Sequence, residues 1–456
     1  MKILDARSLG IEGVARAVDR PPSEVPADVA RSVEAIVAAV RNRGDAALLE
    51  YTARFDGFRP AAAAGLAIAA AELVAAERAT EPPVRAALAY AAERIERYHA
   101  AALPKSWRLI DEHGSMLGQE VRPLDRVGIY VPGGRAAYPS TVLMTAVPAR
   151  VAGVREIVLV TPPGPEGRVS PAVLAAARIA GVTEGWRIGG AQAVAALAYG
   201  TGTIRRVDKI VGPGNVYVAV AKTRVFGDVG IDMVAGPSEV VIVADRAADP
   251  AWIAADLLAQ AEHDPMARAL LITDAAELLP RVEAALAAQL ERLPRRAIAG
   301  EALAANGAVV LVEDLKAAID VANRLAPEHL ELMVAVPATL LPRVRHAGAI
   351  FLGAHTPEVV GDYVAGPNHV LPTAGTARFA SPLGTEDFVK RSSVIEYSPS
   401  GLAAALPHLG ALAQVEGLDG HGHAAALRAS EPRASQASPP AERPGHAARA
   451  TKEAGA

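Results

Sequence analysis

Val127-Gly-Ile-Tyr-Val131 and Ile157-Val-Leu-Val160 are two short runs rich in β-branched residues, and a helical pattern over residues 140–151 separates them. A strand, a helix and a second strand of these lengths predict two parallel strands joined by a crossover helix. A third run, Val207-Asp-Lys-Ile-Val211, continues the series. Further helical patterns lie at residues 171–180, 191–199 and 216–226. The stretch therefore predicts an α/β domain whose parallel sheet carries helices on its faces.

The same alternation of strands and helices then repeats. Strands are predicted at 240–244, 269–273, 308–312, 330–334 and 349–352, with helices at 250–262 and 315–325 among them. The chain is predicted to have an α/β fold with two incomplete Rossmann-like domains, which meet near residues 228–240. We place the first domain at 127–228 and the second at 229–384.

The remaining segments of the chain show other sequence patterns. Residues 1–24 are expected to form an N-terminal arm. Residues 25–126 carry helical patterns at 28–40 and 83–99, and we expect this helical part to join the second α/β domain. Residues 385–423 show little strand pattern beyond one helix near 402–412, and are expected to form an extended C-terminal arm. From 424 to 456, Ala, Ser, Pro, Arg and Glu without periodicity predict a disordered tail.

Composition excludes several classes of protein. The 456 residues have a net charge of -4 and 4% aromatics, so the chain lacks the basic face and stacking rings that nucleic-acid binding needs. It has no cysteine, which excludes disulfides, thiolate metal sites and a thiol nucleophile, and fits a cytoplasmic protein. Charged residues precede any apolar run at the start, which argues against a signal peptide, and residues 61–71 are too short an apolar stretch to span a membrane.

A candidate pair of proton-transfer groups lies in Arg324-Leu-Ala-Pro-Glu-His-Leu-Glu-Leu332. Glu328 and His329 follow Pro327 directly, at the entry to a strand with one buried face. Because neighbouring side chains diverge on such an element, we expect the two groups to line one cavity without bonding each other. The alternative is a surface glutamate beside a histidine that caps a helix.

Two glycine-containing turns are candidate phosphate sites. Val131-Pro-Gly-Gly-Arg135 and Val211-Gly-Pro-Gly-Asn215 each follow a predicted strand and lead towards a helix. The N–H groups at such a turn attract phosphate. Neither turn matches the dinucleotide pattern G-x-G-x-x-G, so each alone is a weak signal.

A candidate metal site can be assembled from nitrogen and oxygen ligands. Gln260 and His263 lie three residues apart near the end of an apolar helix, which puts both on one face. Asp362, His421 and His423 lie in glycine-flanked loops and offer a carboxylate and imidazoles. Two histidines, an aspartate and an amide oxygen are a workable set for zinc. The alternative is that Gln260 and His263 only cap the helix. Further polar groups, His369 and Glu416, lie in the same part of the chain.

Several motifs taken together resemble the histidinol dehydrogenase family. They cover about residues 25–425 in the family's order and are highly specific as a set. They are Gly230-Ile-Asp-Met-Val-Ala-Gly-Pro-Ser-Glu239, Gln260-Ala-Glu-His263-Asp-Pro, Ala326-Pro-Glu-His329-Leu-Glu, Gly361-Asp-Tyr, Asn368-His369-Val-Leu-Pro and Glu416-Gly-Leu-Asp-Gly-His421.

The resemblance implies an NAD-dependent oxidation of L-histidinol to L-histidine through the aldehyde, with one Zn²⁺ per subunit of a homodimer. It implies that Glu328 and His329 are the catalytic acid–base pair. The implied zinc ligands are Gln260, His263, Asp362 and His421, which also contact the substrate together with Ser238, His329, His369 and Glu416. The implied NAD contacts are Tyr130, Gln192 and Asn215, in the first α/β domain. The C-terminal arm is implied to cross to the partner subunit, which then receives His421.

Other classes of protein compete with this interpretation. An aldehyde dehydrogenase also has twin α/β domains, but it needs a cysteine nucleophile that the chain lacks. An NAD-dependent zinc enzyme acting on another amino alcohol would use the same residues. A zinc hydrolase would keep the metal ligands and use no NAD, and a non-catalytic metal-binding protein would leave Glu328 and His329 without a role.

Overall fold

The computed structural model describes residues 1–18, 25–133, 137–234 and 236–429. The strands are β1 (Lys2–Asp5), β2 (Ala67–Ile68), β3 (Trp107–Ile110), β4 (Met116–Pro123), β5 (Arg126–Tyr130), β6 (Glu156–Thr161), β7 (Glu184–Arg187), β8 (Lys209–Val211), β9 (Gly230–Ile231), β10 (Glu239–Ala244), β11 (Arg268–Thr273), β12 (Ala308–Leu311), β13 (His329–Met333), β14 (Ala349–Leu352) and β15 (Val389–Glu396). The helices are α1 (Ala6–Val18), α2 (Ala27–Arg43), α3 (Asp45–Tyr51), α4 (Ala70–Ala79), α5 (Pro82–Ala101), α6 (Pro139–Val151), α7 (Pro171–Ala180), α8 (Gly190–Tyr199), α9 (Val216–Val225), α10 (Pro250–Ala261), α11 (Leu278–Leu290), α12 (Arg296–Asn306), α13 (Leu315–Leu325), α14 (Glu358–Tyr363), α15 (Pro399–Glu416) and α16 (Asp419–Ala429). Among the described residues, no helix is both long and apolar enough to cross a membrane.

The first sheet has the strand order β2-β7-β6-β5-β8-β9. All of its pairings are parallel except that of the short β2 with β7. Every residue of β5 is buried, and both faces of the sheet are covered by apolar helices. Residues 127–211 therefore form the parallel α/β layer that their β-branched runs predict.

The second sheet has the strand order β1-β12-β11-β10-β13-β14 and is parallel throughout. Strands β10, β11 and β13 are buried along their whole length, with α10, α11 and α12 on one face and α1 and α13 on the other. The prediction of an α/β fold with two parallel-sheet layers is thus confirmed.

Two expectations about the N-terminal third were wrong. The helical part at 25–126 was expected to join the second domain, but its apolar faces pack on the first sheet, where α2 contacts α8 and α9 and α4 contacts α7. The segment at 1–24 was expected to be an arm, but its first residues form β1 and pair with β12 of the second sheet. Both partnerships join residues far apart in sequence, which helical spacing alone does not specify. Residues 19–24 lie outside the described part.

The chain divides into two units. The first comprises Met1–Lys105 and Val121–Arg391 and contains both parallel sheets; the second comprises residues 106–120 and, among the described residues, 392–429. Strand β3 and the helices α15 and α16 belong wholly to the second unit. Strands β4 and β15 belong partly to it and form a three-stranded sheet with β3, in the order β15-β4-β3.

The C-terminal segments differ from the prediction in two ways. Strand β15 was not expected, because its residues are mostly polar and exposed and so lack an apolar alternation. The tail was expected to begin at 424, but α16 continues to Ala429. Residues 430–456, the rest of the predicted tail, lie outside the described residues.

Candidate active site

A cavity of about 290 Å³ lies between the two parallel sheets of the first unit. The first sheet contributes Pro132 and the turn at Pro213 and Gly214, which follow the carboxyl ends of β5 and β8. The second sheet contributes residues at the opposite, amino ends of its strands: Ser238 precedes β10 and His329 begins β13. The cavity thus brings strand ends of opposite polarity together.

Glu328 and His329 both line this cavity and are buried, so neither is the surface residue that the alternative interpretation required. Oε2 of Glu328 accepts a hydrogen bond from the backbone N–H of Glu239 at 2.9 Å. Nδ1 of His329 lies 3.0 Å from the carbonyl oxygen of Glu239. Because a carbonyl only accepts, Nδ1 carries the proton and Nε2 keeps its lone pair. Nδ1 of His329 and Oε2 of Glu328 lie 3.8 Å apart, so the two groups share a cavity without a hydrogen bond.

Burial sets the protonation preferences of both groups. It lowers the pKa of His329 to about 4, although the charge of Asp362 partly opposes the shift. It also raises the pKa of Glu328 well above the ordinary value for a glutamate, and the charge of nearby Glu239 adds to that effect. At neutral pH His329 is therefore an uncharged base with a free Nε2.

A group of metal-type ligands lies beside the pair. Gln260 and His263 lie one turn apart at the end of α10, and Glu358 and Asp362 lie one turn apart on α14. Ligand atoms of His263, Glu358 and Asp362 lie within 4.8 Å of one another. An imidazole and two carboxylates at this spacing, with the Gln260 amide beside them, fit a divalent cation that accepts nitrogen and oxygen, such as zinc.

His369 lines the same cavity from the loop after α14. Its Nδ1 lies 3.0 Å from the carbonyl oxygen of Asp362, so this ring also has its proton on Nδ1. Its Nε2 lies 3.5 Å from Oγ1 of Thr141. Burial lowers the pKa of His369. The ring therefore offers a neutral acceptor to a molecule in the cavity.

A second cavity, of about 660 Å³, lies beside the first sheet and contains all three residues that the family resemblance implies for NAD. The hydroxyl of Tyr130 accepts a hydrogen bond from the Gly190 N–H at 3.1 Å, and Nε2 of Gln192 donates to Asp56 at 3.3 Å. Asn215 is the N-cap residue immediately before α9, and its side chain accepts hydrogen bonds from two N–H groups of the first helical turn. Pro132 lines both cavities, so they adjoin.

The turn from Val211 to Asn215 is held in place by a buried ion pair. Lys222 pairs with Asp232, which accepts the Gly212 N–H at 2.7 Å. Gly212 has φ +109°, and a Cβ there would lie 2.2 Å from the carbonyl oxygen of Tyr130. The glycine is therefore required by the close approach of the backbone, as well as by φ. In the other predicted glycine turn, residues 134–136 lie outside the described part.

Comparison with known proteins gives the family. The model of the histidinol dehydrogenase family matches residues 19–429. The chain belongs to the histidinol dehydrogenase family. It is 57% identical over 397 residues to histidinol dehydrogenase of Chromobacterium violaceum, covering 87% of this chain and 91% of the relative. It is also 57% identical over 405 residues to that of Rhizobium meliloti, covering 89% and 93%.

A solved structure of the histidinol dehydrogenase family has the same fold. The histidinol dehydrogenase of Elizabethkingia anophelis superposes with a TM-score of 0.89 at 34% identity, over 94% of this chain and 98% of that one. The resemblance inferred from the motifs is thereby confirmed, and the chain is a dehydrogenase.

The structure brings most of the predicted site residues of this family member together. Those that line the first cavity are Ser238, Gln260, His263, Glu328, His329, Asp362 and His369. Glu416 and His421 belong to the second unit, where Glu416 is the last residue of α15 and His421 lies in the first turn of α16. Both side chains are exposed.

Sequence reasoning missed Glu358 and Asp56. Glu358 is four residues before Asp362, so the two lie on one helical face, and the spacing in Glu358-Val-Val-Gly-Asp362 was a usable signal. Asp56 lies in a π-helical turn after α3, and burial raises its pKa to about 6. No motif marks that position.

Proposed function

We propose that this family member oxidises L-histidinol to L-histidine through L-histidinaldehyde, with NAD as the oxidant and one Zn²⁺ per subunit. The proposal rests on the residues that line the first cavity. A neutral histidine with a free Nε2, a buried glutamate and a cluster of metal-type ligands surround one space, and the cavity with Tyr130, Gln192 and Asn215 adjoins it. Both of the relatives compared above are named histidinol dehydrogenase.

The metal is proposed to be held by Gln260, His263 and Asp362, with His421 as a fourth ligand. The ion would act as a Lewis acid that fixes the imidazole and amine of the substrate. The amide, imidazole and carboxylate offered by the first three residues suit zinc in a chain without cysteine. Ser238, His369 and Glu416 are proposed to contact the substrate.

His329 is proposed to remove the proton of the substrate hydroxyl. Its Nε2 is the free lone pair, and the bond from Nδ1 to the Glu239 carbonyl keeps the ring in this tautomer. NAD, when bound, takes up the hydride lost in each of two oxidations. Glu328 lies beside His329 and lines the same cavity. It is therefore proposed to be the base that activates water to hydrate the aldehyde.

The quaternary arrangement is also a proposal. The family resemblance implies a homodimer in which the C-terminal arm crosses to the partner subunit and supplies His421 there. Glu416 and His421 have exposed side chains, so both are accessible to a partner subunit. The cytoplasmic location expected from the sequence stays a prediction.

One assay tests the proposed function. The purified protein is mixed with L-histidinol and NAD, and NADH and histidine are measured with and without a chelator. We expect two NADH for each histidine, little free aldehyde and loss of activity with the chelator. Release of free aldehyde with one NADH per turnover would contradict the proposal.

The same assay separates the competing functions. A zinc hydrolase would form no NADH from any substrate. An enzyme for another amino alcohol would form NADH faster from that compound than from L-histidinol, so a panel of amino alcohols at equal concentration decides the substrate.

A further inference from the structure

The carboxylate of Glu358 lies between two functional side chains. It is 2% exposed, and its Oε1 lies 3.6 Å from Nδ1 of His329. On its other side is the amide of Gln260, which is fully buried. In the amide orientation that satisfies its neighbours, Nε2 of Gln260 donates to Oε1 and Oε2 of Glu358 at 3.0 and 3.3 Å. Glu358 is therefore in contact with Gln260 through both carboxylate oxygens.

This contact decides which end of the Gln260 amide is oxygen. The two ends have the same shape, so only their hydrogen bonds distinguish them. An amide nitrogen can donate but has no lone pair for a cation, whereas the amide oxygen can bind one. With the nitrogen on Glu358, the other end faces only donor groups, as an oxygen requires.

Glu358 is itself held in place by the strand that carries His329. Oε1 of Glu331, two residues after His329 on β13, accepts the backbone N–H of Glu358 at 2.8 Å. That N–H is the first of α14, which also carries Asp362. The backbone of Glu358 at the start of α14 is therefore anchored to β13.

We propose that Glu358 is a positioning residue for the metal site: it holds the nitrogen of Gln260 and so presents Oε1 of Gln260 to the cation. This rests on the metal site of the proposed function. The rival role is direct ligation, because a Glu358 oxygen also lies within 4.8 Å of ligand atoms of His263 and Asp362. The two roles differ in whether Glu358 acts through Gln260.

The test measures zinc affinity by competition with a chromogenic chelator in the full-length protein. Glu358→Met keeps the volume and removes the acceptor, so we expect zinc to bind roughly 10- to 100-fold more weakly. In Glu358→Gln, the new amide oxygen still accepts from Gln260, and the affinity should stay within about threefold of wild type. Val359→Ala, at an exposed position of the same helix, is the matched control and should bind zinc as wild type does.

A double-mutant cycle separates positioning from ligation. If Glu358 acts through Gln260, adding Glu358→Met to Gln260→Ala should weaken zinc binding by no more than about twofold. Additive losses, together with an equal loss in Glu358→Gln, would show direct ligation and overturn the proposal. Circular dichroism and thermal melting of each variant establish folding, and Glu358→Ala replaces Glu358→Met in the cycle if the latter does not fold.

The outcomes also distinguish this inference from the proposed function. A wild-type protein that binds no zinc would overturn both. A wild-type protein that binds zinc tightly, with Glu358→Met and Glu358→Ala equally tight, would overturn only the role of Glu358.

Discussion

Glu328 and His329 are adjacent residues that both hydrogen-bond to the backbone of Glu239, one as acceptor and the other as donor. Glu239 accepts from the ring of His329 through its carbonyl and donates to Glu328 through its N–H. One residue therefore sets the tautomer of the histidine and the position of the carboxylate. The two groups are proposed to have different catalytic roles, which a variant of each can separate.

We predict that Glu328→Gln slows oxidation of histidinaldehyde more than oxidation of histidinol, because only the second oxidation needs activated water. His329→Asn should slow oxidation of histidinol by roughly 10²- to 10⁴-fold, the usual contribution of a general base. Supplying each substrate separately to each variant measures the division. Equal losses of oxidation rate on both substrates in both variants would contradict this division of roles.

A third residue, His99, makes the free energy of unfolding depend on pH. It is 2% exposed, and neither ring nitrogen has a hydrogen-bond partner among the described residues. Burial lowers its pKa to about 4, from an ordinary value of 6.5. The unfolded chain therefore takes up the proton first, so stability is lost as the pH falls from 6.5 towards 4.

We predict that His99→Leu removes this part of the pH dependence. Wild type should lose up to about 3 kcal/mol more than the variant between pH 7 and pH 4. Urea unfolding of both proteins across that range measures the difference. The exposed His113 is the control, and His113→Leu should keep the wild-type profile. Parallel curves for wild type and His99→Leu would contradict the prediction.

At the scale of elements, the start of α9 combines a structural role with a proposed role in binding NAD. Oδ1 of Asn215 accepts hydrogen bonds from Tyr217 and Val218 N–H groups at 3.1 and 3.2 Å. Asn215→Ala should lower the unfolding free energy by about 1 kcal/mol through loss of the cap. Asn215→Asp keeps the cap but adds a negative charge where the phosphates of NAD are proposed to lie, so the KM for NAD should rise without loss of stability.

Urea unfolding and the KM for NAD, measured for both Asn215 variants, check this prediction. An unchanged KM in Asn215→Asp would mean that the start of α9 does not face the phosphates. A stability loss in Asn215→Asp equal to that in Asn215→Ala would mean that the side chain does not cap the helix.

Elements with a strong local pattern could be predicted from the sequence, and those with non-local partners could not. Leu315–Leu325 and Ala349–Leu352 have the bounds that their periodicity predicts, because helix ends and apolar strand runs are determined by the local sequence. The pairing of β1 with β12 and the packing of α2 on α8 depend on distant surfaces. In the site, the motifs marked His329 and Asp362, whereas the contacts of Glu358 with Gln260 on α10 and with Glu331 and His329 on β13 depend on the tertiary fold.

At the scale of the whole molecule, the proposed crossing of the C-terminal arm to a partner subunit has a direct test. His263→Asn and His421→Asn should each be inactive alone. If the arm crosses, mixed dimers hold one site with both wild-type histidines, and random exchange should restore about a quarter of wild-type activity. Mass-tagged chains establish that exchange took place. If activity stays absent after exchange, His421 serves a site on its own chain.

The pairing of β1 with β12 also has a consequence for synthesis on the ribosome. Lys2 pairs with Ala308, so β1 waits for a partner that is made about three hundred residues later. At roughly 5 to 20 residues per second, that delay is on the order of 15 to 60 seconds. During that delay β12 has not been made, so β1 cannot form its native pairing. The β1 edge of the second sheet can therefore form only after β12 has been made, although β1 is synthesised long before it.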